Sequence, residues 1–484
     1  MTGAIGRGIR ASIVTALSQG LKLLVGLVGT VVLARLLRPE DFGLVAMVGA
    51  FVALGDVIRD LGTSVVGLGR PDLSHRQASN LFWISSGLGA ACALVLALST
   101  PLLVRIFAEP RLALVTPVLA FQLLLAGLSA QFLVHLAREM RYWRRLVLEV
   151  VPLSLALVLA VATASMGFGY WALVVQAVAV AALRLVMAVV LSGWFPRLPS
   201  RAVGNRALIA DSSAFGLAQL AGYVSQNIDS ILIGARWDAT SLGAYDQAFK
   251  LLTLPNRQMV GPFTHVVIPT VNRAVKEGGD AHEVLLRVQF ALGLIVNWVY
   301  TISAGLAPWL IPFALGEQWT DSVPIFRILA VGGAVWVFST VSYWSFILSN
   351  LGRQLLLYNI VSKGLTALLI LGASFIGVHA IAWAVSVGLV VSWPLNLLWL
   401  RRTADQPSAR YLRNGMTIFS GTVAGYAVTA GLLEFGPGSM TLSAALVAAL
   451  AGTLAFLAVI AALPNGAKQL AGVQRQLLAA LRSG

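Results

Sequence analysis

SSAFGLAQLAGYVSQNIDSILIGARW (212–237), followed closely by LGAYDQAFKLLTLPNRQ (242–258), decides how this chain is read. Its length and flanks are those of two membrane spans. Yet the stretch from Asp211 to Arg257 carries Asp211, Gln219, Gln226, Asn227, Asp229, Lys250 and Arg257. Ionisable groups inside a bilayer are costly and face a protein interior or a wet cavity. The stretch therefore reads as the start of the second half of a duplicated membrane protein, with part of a solute pathway on one face.

Working outward, composition supports a bilayer setting. The chain has 484 residues, of which 58% are apolar and 11% charged, and its mean hydropathy is +0.85. Soluble domains carry roughly 25% charged residues. Apolar runs long enough to span, about 20 residues each, recur from end to end. The net charge of +15 would suggest nucleic acid in a soluble protein. Here the basic residues lie between apolar runs, so topology accounts for them and no nucleic-acid partner is expected. Cys92 is the only cysteine, which rules out an internal disulfide. Arg7 and Arg10 precede an apolar run from Ile13 to Ala34, too long for a signal peptide core, so an uncleaved first helix is expected.

Hydropathy and breaks predict about fourteen spans, near 12–34, 42–66, 80–104, 112–135, 147–166, 169–193, 210–235, 242–270, 285–314, 323–349, 354–375, 378–400, 412–434 and 441–463. Beyond Ala467, Lys468, Arg475 and Arg482 among leucines and alanines predict an amphipathic surface helix. With the N-terminus placed in the cytoplasm, the even-numbered connections hold most of the arginines: Arg138, Arg141, Arg144 and Arg145; Arg197, Arg201 and Arg206; Arg401, Arg402, Arg410 and Arg413. The opposite side has Arg35, Arg38, Arg105, Arg111 and Arg236. The bias places both termini in the cytoplasm. The outer connections are short, so a catalytic domain has no place there.

An internal repeat is legible. VVLARLLRPEDFGLVA (31–46) matches ILIGARWDATSLGAYD (231–246), aligning Ala34-Arg35 with Ala235-Arg236 and, after a one-residue gap, Gly43 with Gly243. Pro101 and Pro117 are spaced as Pro308 and Pro324 are, and GYWAL (169–173) resembles GVHAI (377–381). The matches keep their order. They predict an all-α polytopic fold of about 14 transmembrane helices, with two parallel six-helix lobes and two extra C-terminal helices. The expected divisions are an N-lobe at 1–195, an inter-lobe cytoplasmic linker at 196–209, a C-lobe at 210–400, spans 13 and 14 at 401–463 and a cytoplasmic tail at 464–484. Sites tend to lie at such repeat interfaces.

ARLLRPEDFGLVAMVGAF (34–51), DVIRDLG (56–62), AREMRYWRR (137–145) and ARWDATSLGAYDQAFKL (235–251) resemble the Wzx-type polysaccharide flippases of the multidrug/oligosaccharidyl-lipid/polysaccharide export superfamily. The resemblance covers nearly the whole chain and is stronger for fold than for substrate. It implies flipping of an undecaprenyl-diphosphate-linked oligosaccharide from the cytoplasmic to the periplasmic leaflet of the bacterial inner membrane, by alternating access between the lobes. The last two helices would attach outside a twelve-helix core. Implied partners are the lipid-linked oligosaccharide, membrane lipids, a polymerase and other polysaccharide assembly proteins. No cofactor is expected; the coupling ion, H+ or Na+, is left open.

Four polar sets are candidates for the pathway. In span 7, Gln219, Tyr223, Gln226 and Ser230 fall at i, i+4, i+7 and i+11, one helix face, with Asn227 and Asp229 beside it. Interhelical glue is the competing reading. In span 8, Lys250 and Arg257 sit seven apart, and Pro255 and Pro262 interrupt the helix. Arginine grips a diphosphate bidentately, whereas pairing with Asp229 or Asp246 would make these cations structural. In span 1, Gln19 and Lys22 share a face with Thr15, and in span 2 Asp56, Arg59 and Asp60 can form one network. Arg184, Arg327 and Lys363 are read as snorkelling from span ends. The histidines lack metal-ligand spacing, and there is no phosphate-binding loop to indicate ATP hydrolysis. The alternatives to a flippase are a drug/cation antiporter, against which several cavity cations argue, and a membrane-embedded polysaccharide polymerase or ligase, which would want a large outer loop.

Overall fold

The computed structural model describes residues 2–60, 74–138, 142–199, 227–261, 263–404, 406–435 and 441–483. Every regular element among them is helical. Twelve helices are long and apolar enough to cross a membrane among the described residues, and the chain is a multi-pass membrane protein. Two further spans were expected. The seventh lies mostly outside the described residues, and only its end, 227–236, is described, as helix. The eighth is broken into shorter pieces, considered below.

By its internal packing the chain divides into two units, Met1–Gly243 and Ala244–Gly484. The first contains α1 (Thr2–Leu36), α2 (Pro39–Asp60), α3 (His75–Leu98), α4 (Thr100–Phe107), α5 (Leu112–Arg138), α6 (Tyr142–Ser165), α7 (Trp171–Ser192) and α8 (227–236). α5 is its hub and packs on α2, α3 and α7, while α6 packs on α7 and α1. Small residues permit the closest approaches. A Cβ on Gly127 would collide with the Ser85 carbonyl of α3, and one on Gly89 with the Leu123 carbonyl of α5. Such backbone contact is how helices associate where no hydrophobic gain is available from lipid. At one end of this unit Arg111 bridges Glu109 at 2.7 Å and Glu40, at the start of α2, at 2.5 Å. Hydrogen bonding to that guanidinium holds the Glu109 carboxyl below the usual carboxylate range.

α9 (Ala239–Pro255) begins in the first unit and runs into the second. Its first turns cross α2 with backbone contact. A Cβ on Gly43 would fall on the Ala239 carbonyl oxygen, and one on Gly243 on the Pro39 carbonyl oxygen. These are the two glycines that the sequence repeat pairs, and each occupies the position the other requires.

The second unit holds the rest of α9, α10 (Thr264–Lys276), α11 (Ala281–Gly305), α12 (Ala307–Leu315), α13 (Ser322–Leu348), α14 (Gly352–Ala373), α15 (Val378–Ala404), α16 (Ser408–Phe435), α17 (Leu442–Ala462) and α18 (Gly466–Ser483). α13 is the hub here, packed on α11 and α15, with α14 on α15. Each unit thus repeats the other's packing order. The repeat extends to irregular backbone. α4 and α12 are short helices opened by Pro101 and Pro308. Each ends at a positive-φ residue, Ala108 at 49° and Gly316 at 110°, which turns the chain into the next long helix. A non-glycine residue in that region is uncommon, so Ala108 is held there by its surroundings.

The span expected near 242–270 ends its α-helix at Pro255 and continues as a π-turn, Asn256–Val260. Proline has no N–H for the carbonyl four residues back, which weakens the helix at that point. The Tyr300 hydroxyl of α11 locks the widened turn, donating to the Leu252 carbonyl at 2.5 Å and accepting from Asn256 Nδ2 at 2.8 Å.

α16 docks along α11, and the two run parallel. Successive contacts are Arg410–Glu283 at 2.5 Å, Asn414 Nδ2 to Gln289 Oε1 at 2.9 Å and Thr422 Oγ1 to Asn297 Oδ1 at 2.9 Å. At the far end Glu434 accepts from Arg327 Nη1 at 2.6 Å. Arg327, read from sequence as snorkelling, is instead a structural cation. It also donates to the Ala304 carbonyl at 3.2 Å and lies over the Tyr426 ring. α18 places Leu470 and Val473 half-buried with Lys468 and Arg475 exposed, as its amphipathic pattern predicts.

Candidate functional site

The first unit contains a polar cavity of about 320 Å³, within the usual size of ligand pockets. Four helices supply its charged lining, Lys22 from α1, Asp56 and Arg59 from α2, Glu149 from α6 and Arg184 from α7, and α5 adds Ser129 and apolar residues. Three cations face two carboxylates. Ala126, Ala130 and Ala137 on the α5 wall leave room that larger side chains would fill.

Arg59 is 8% exposed. Its Nε and Nη2 donate to Asp56 Oδ1 at 2.9 and 2.8 Å. The i,i+3 spacing on α2 brings the pair together without help from any other helix. Its Nη1 is buried and has no hydrogen-bond partner among the described residues. A buried guanidinium N–H left unpaired costs free energy comparable to a lost charged hydrogen bond. Lys22 Nζ lies 3.2 Å from Glu149 Oε2, and Ser18 Oγ donates to the same oxygen at 3.0 Å. Ser18 and Lys22 are four apart, one turn of α1, so both reach α6 from one face.

The sequence-derived candidates are distributed unevenly. Lys22, Asp56 and Arg59 meet in this cavity. Gln19 is exposed on α1 and outside the lining. Gln219 and Gln226 lie outside the described residues. Asn227 is half-buried on α8, and Asp229 is buried there, accepting from the Ser230 amide at 2.9 Å. Lys250 pairs with Asp246 at 2.6 Å one turn back on α9, the structural alternative weighed from sequence. Arg257 is exposed on the π-turn.

Two lining residues were missed or misread. Glu149 is the only charged residue of span 147–166, and Arg184 the only one of span 169–193. A lone intramembrane charge is a functional candidate by default, and that signal would have found both. Arg184, expected to snorkel from a span end, lies well inside α7 (Trp171–Ser192) and lines the cavity. Lys363 is likewise at mid-length of α14 (Gly352–Ala373), half-buried, rather than near an end. No cluster of histidine, cysteine or carboxylate side chains among the described residues is arranged to hold a metal ion.

This cavity suits an anion. Among the described residues the Arg59 Nη1 donor has no partner and the lining cations outnumber the carboxylates, which leaves capacity for charge-assisted hydrogen bonds.

The lipopolysaccharide biosynthesis protein WzxC of Escherichia coli (strain K12) is 24% identical over 319 residues, 64% of this chain and 63% of WzxC. The teichuronic acid biosynthesis protein TuaB of Bacillus subtilis (strain 168) is 25% identical over 284 residues, 57% of this chain and 58% of TuaB. The succinoglycan biosynthesis transport protein ExoT of Rhizobium meliloti (strain 1021) is 24% identical over 309 residues, 63% of this chain and 62% of ExoT. The matched stretch thus spans about three fifths of each relative's length. Among solved structures, the lipid II flippase MurJ in an inward closed conformation superposes with a TM-score of 0.70 at 13% identity, over 94% of this chain and 98% of MurJ. An inward-facing multidrug resistance transporter of the MATE family gives 0.61 at 16% identity, over 81% of this chain and 96% of that transporter. At those identities the likeness is one of fold. The family model for polysaccharide biosynthesis proteins matches residues 32–324, and this chain belongs to that family.

Proposed function

We propose that the protein is a flippase moving an undecaprenyl-diphosphate-linked oligosaccharide from the cytoplasmic to the periplasmic leaflet of a bacterial inner membrane, by alternating access. The carrying observation is the cavity, in which Arg59, Lys22 and Arg184 outnumber the carboxylates and a buried Arg59 donor has no partner among the described residues. A diphosphate has the charge and the oxygens to meet those groups. The lipid tail would stay in the bilayer while the headgroup passes through the protein. WzxC, TuaB and ExoT are named for lipopolysaccharide biosynthesis, teichuronic acid biosynthesis and succinoglycan biosynthesis transport, which supports a glycan-bearing substrate. In this reading both termini are cytoplasmic, in line with the arginine bias of the connections. An H+ or Na+ gradient supplies energy, and the flipped unit passes to a polymerase and other assembly proteins. A drug/cation antiporter fits less well, because a cavity with surplus cations repels its substrate.

The test is transport in proteoliposomes holding the purified protein and a fluorescent polyprenyl-diphosphate oligosaccharide. Wild type moves the headgroup to the far leaflet, and Arg59→Ala slows it at least roughly tenfold, as expected for a lost charge-assisted contact, while still inserting normally. Equal flipping by both, or none by wild type under any imposed ion gradient, would overturn the reading.

A further inference from the structure

Glu149 is held in an unusual way. Lys22 and Ser18, both on α1, converge on a single oxygen, Oε2, at 3.2 and 3.0 Å. The Asp56–Arg59 pair lies within one helix, three residues apart, and survives any change in helix packing. The Lys22–Glu149 pair joins α1 to α6 and depends on it. The lysine side chain is 34% exposed and the glutamate 18%, so a ligand in the cavity reaches the ammonium without first unburying it. With Glu149 in place the cavity holds three cations and two carboxylates; without its charge the ratio would be three to one. Uncompensated charge in a poorly hydrated space is costly.

We infer that Glu149 is a built-in stand-in for the substrate anion. It occupies Lys22 while the cavity is empty and yields it when phosphoryl oxygens arrive. This rests on the reading of the cavity as a diphosphate site. A phosphoryl group offers more oxygens and more charge than a carboxylate, so it wins Lys22 when present, but it must displace Glu149 to do so. Glu149 therefore weakens binding, and that weakening is its use. It helps expel the anion at the end of the crossing and lowers the net charge of the empty cavity for its return. Tight binding that persists through every step of a cycle accelerates none of them.

The experiment measures binding of farnesyl diphosphate to the full-length protein in lipid nanodiscs, alongside flipping rates in proteoliposomes. Glu149→Gln and Glu149→Ser are both read, and either one with the wild-type elution profile serves. The expected result is binding tighter by about threefold or more, because an anionic competitor is gone, together with a lower KM and a lower kcat for flipping. Lys22→Met weakens binding, and in that background Glu149→Gln loses most of its effect, since the competition runs through Lys22. Unchanged or weaker binding in the Glu149 variants, or a gain undiminished without Lys22, overturns the stand-in role while leaving the diphosphate site intact. Failure of the wild type to bind farnesyl diphosphate overturns both.

Discussion

At the scale of single residues, the cavity is built from charges that each cost something to place in a membrane protein. Arg59 is almost fully covered, and its cost is offset by Asp56 on the same helix. Lys22 is met by Glu149 across a helix interface. Arg184 lines the same cavity as both pairs, and under the proposed function its guanidinium is a further cation for the diphosphate. Arg184→Gln should weaken farnesyl diphosphate binding by roughly tenfold and shift thermal unfolding little, as read by calorimetry on the nanodisc-embedded protein. A large loss of stability with unchanged affinity would make Arg184 a structural residue. The residue types were legible from sequence, and the partnerships only where spacing set them. Asp56 with Arg59 and Lys250 with Asp246 follow from helical spacing. Lys22 with Glu149 joins positions 127 apart, and no periodicity within one helix reports that.

At the scale of elements, the helices are cut where backbone chemistry demands it. Pro255 ends α9, and Tyr300 secures the wide turn that follows. Pro101 and Pro308 open short helices that end in positive-φ residues at matching places. The crossing of α2 with the start of α9 is the tightest of these features, since Gly43 and Gly243 each face a carbonyl oxygen. Gly43→Val cannot be absorbed by rotating a side chain, because the obstacle is backbone. It should destabilise the protein by about 1–3 kcal/mol or more, read as a lowered Tm in detergent. A Tm equal to wild type would mean that α2 and α9 separate without cost. The pairing of the two glycines in the repeat was visible in the sequence. That they touch was not, because a repeat relates positions without saying which of them meet.

At the scale of the molecule, the last two helices belong mechanically to the second unit. Polar contacts run the length of the α11–α16 seam and finish at Arg327–Glu434. The resemblance implies two helices attached outside a twelve-helix core, and this seam is how the first of them, α16, docks on α11. A double-mutant cycle on Arg327→Leu and Glu434→Leu should give a coupling of about 0.5–1 kcal/mol, modest because both side chains keep some exposure. A coupling near zero would mean that the Arg327–Glu434 pair does not fasten that end of α16.

Sequence alone determined the all-helical membrane class, the duplication and the approximate spans. Those depend on how apolar residues are spaced along one helix, and a bilayer leaves a spanning segment few alternatives. It also marked Lys22, Asp56 and Arg59 as polar groups at membrane depth. Tertiary structure decided that those three share a cavity with Glu149 and Arg184, that Lys250 is paired within its own helix, and that Arg327 fastens α16. The physical reason is that cost and relief lie on different elements. An ionisable group in a span announces its cost in its own sequence, while the partner that relieves it sits on another helix, chosen by packing.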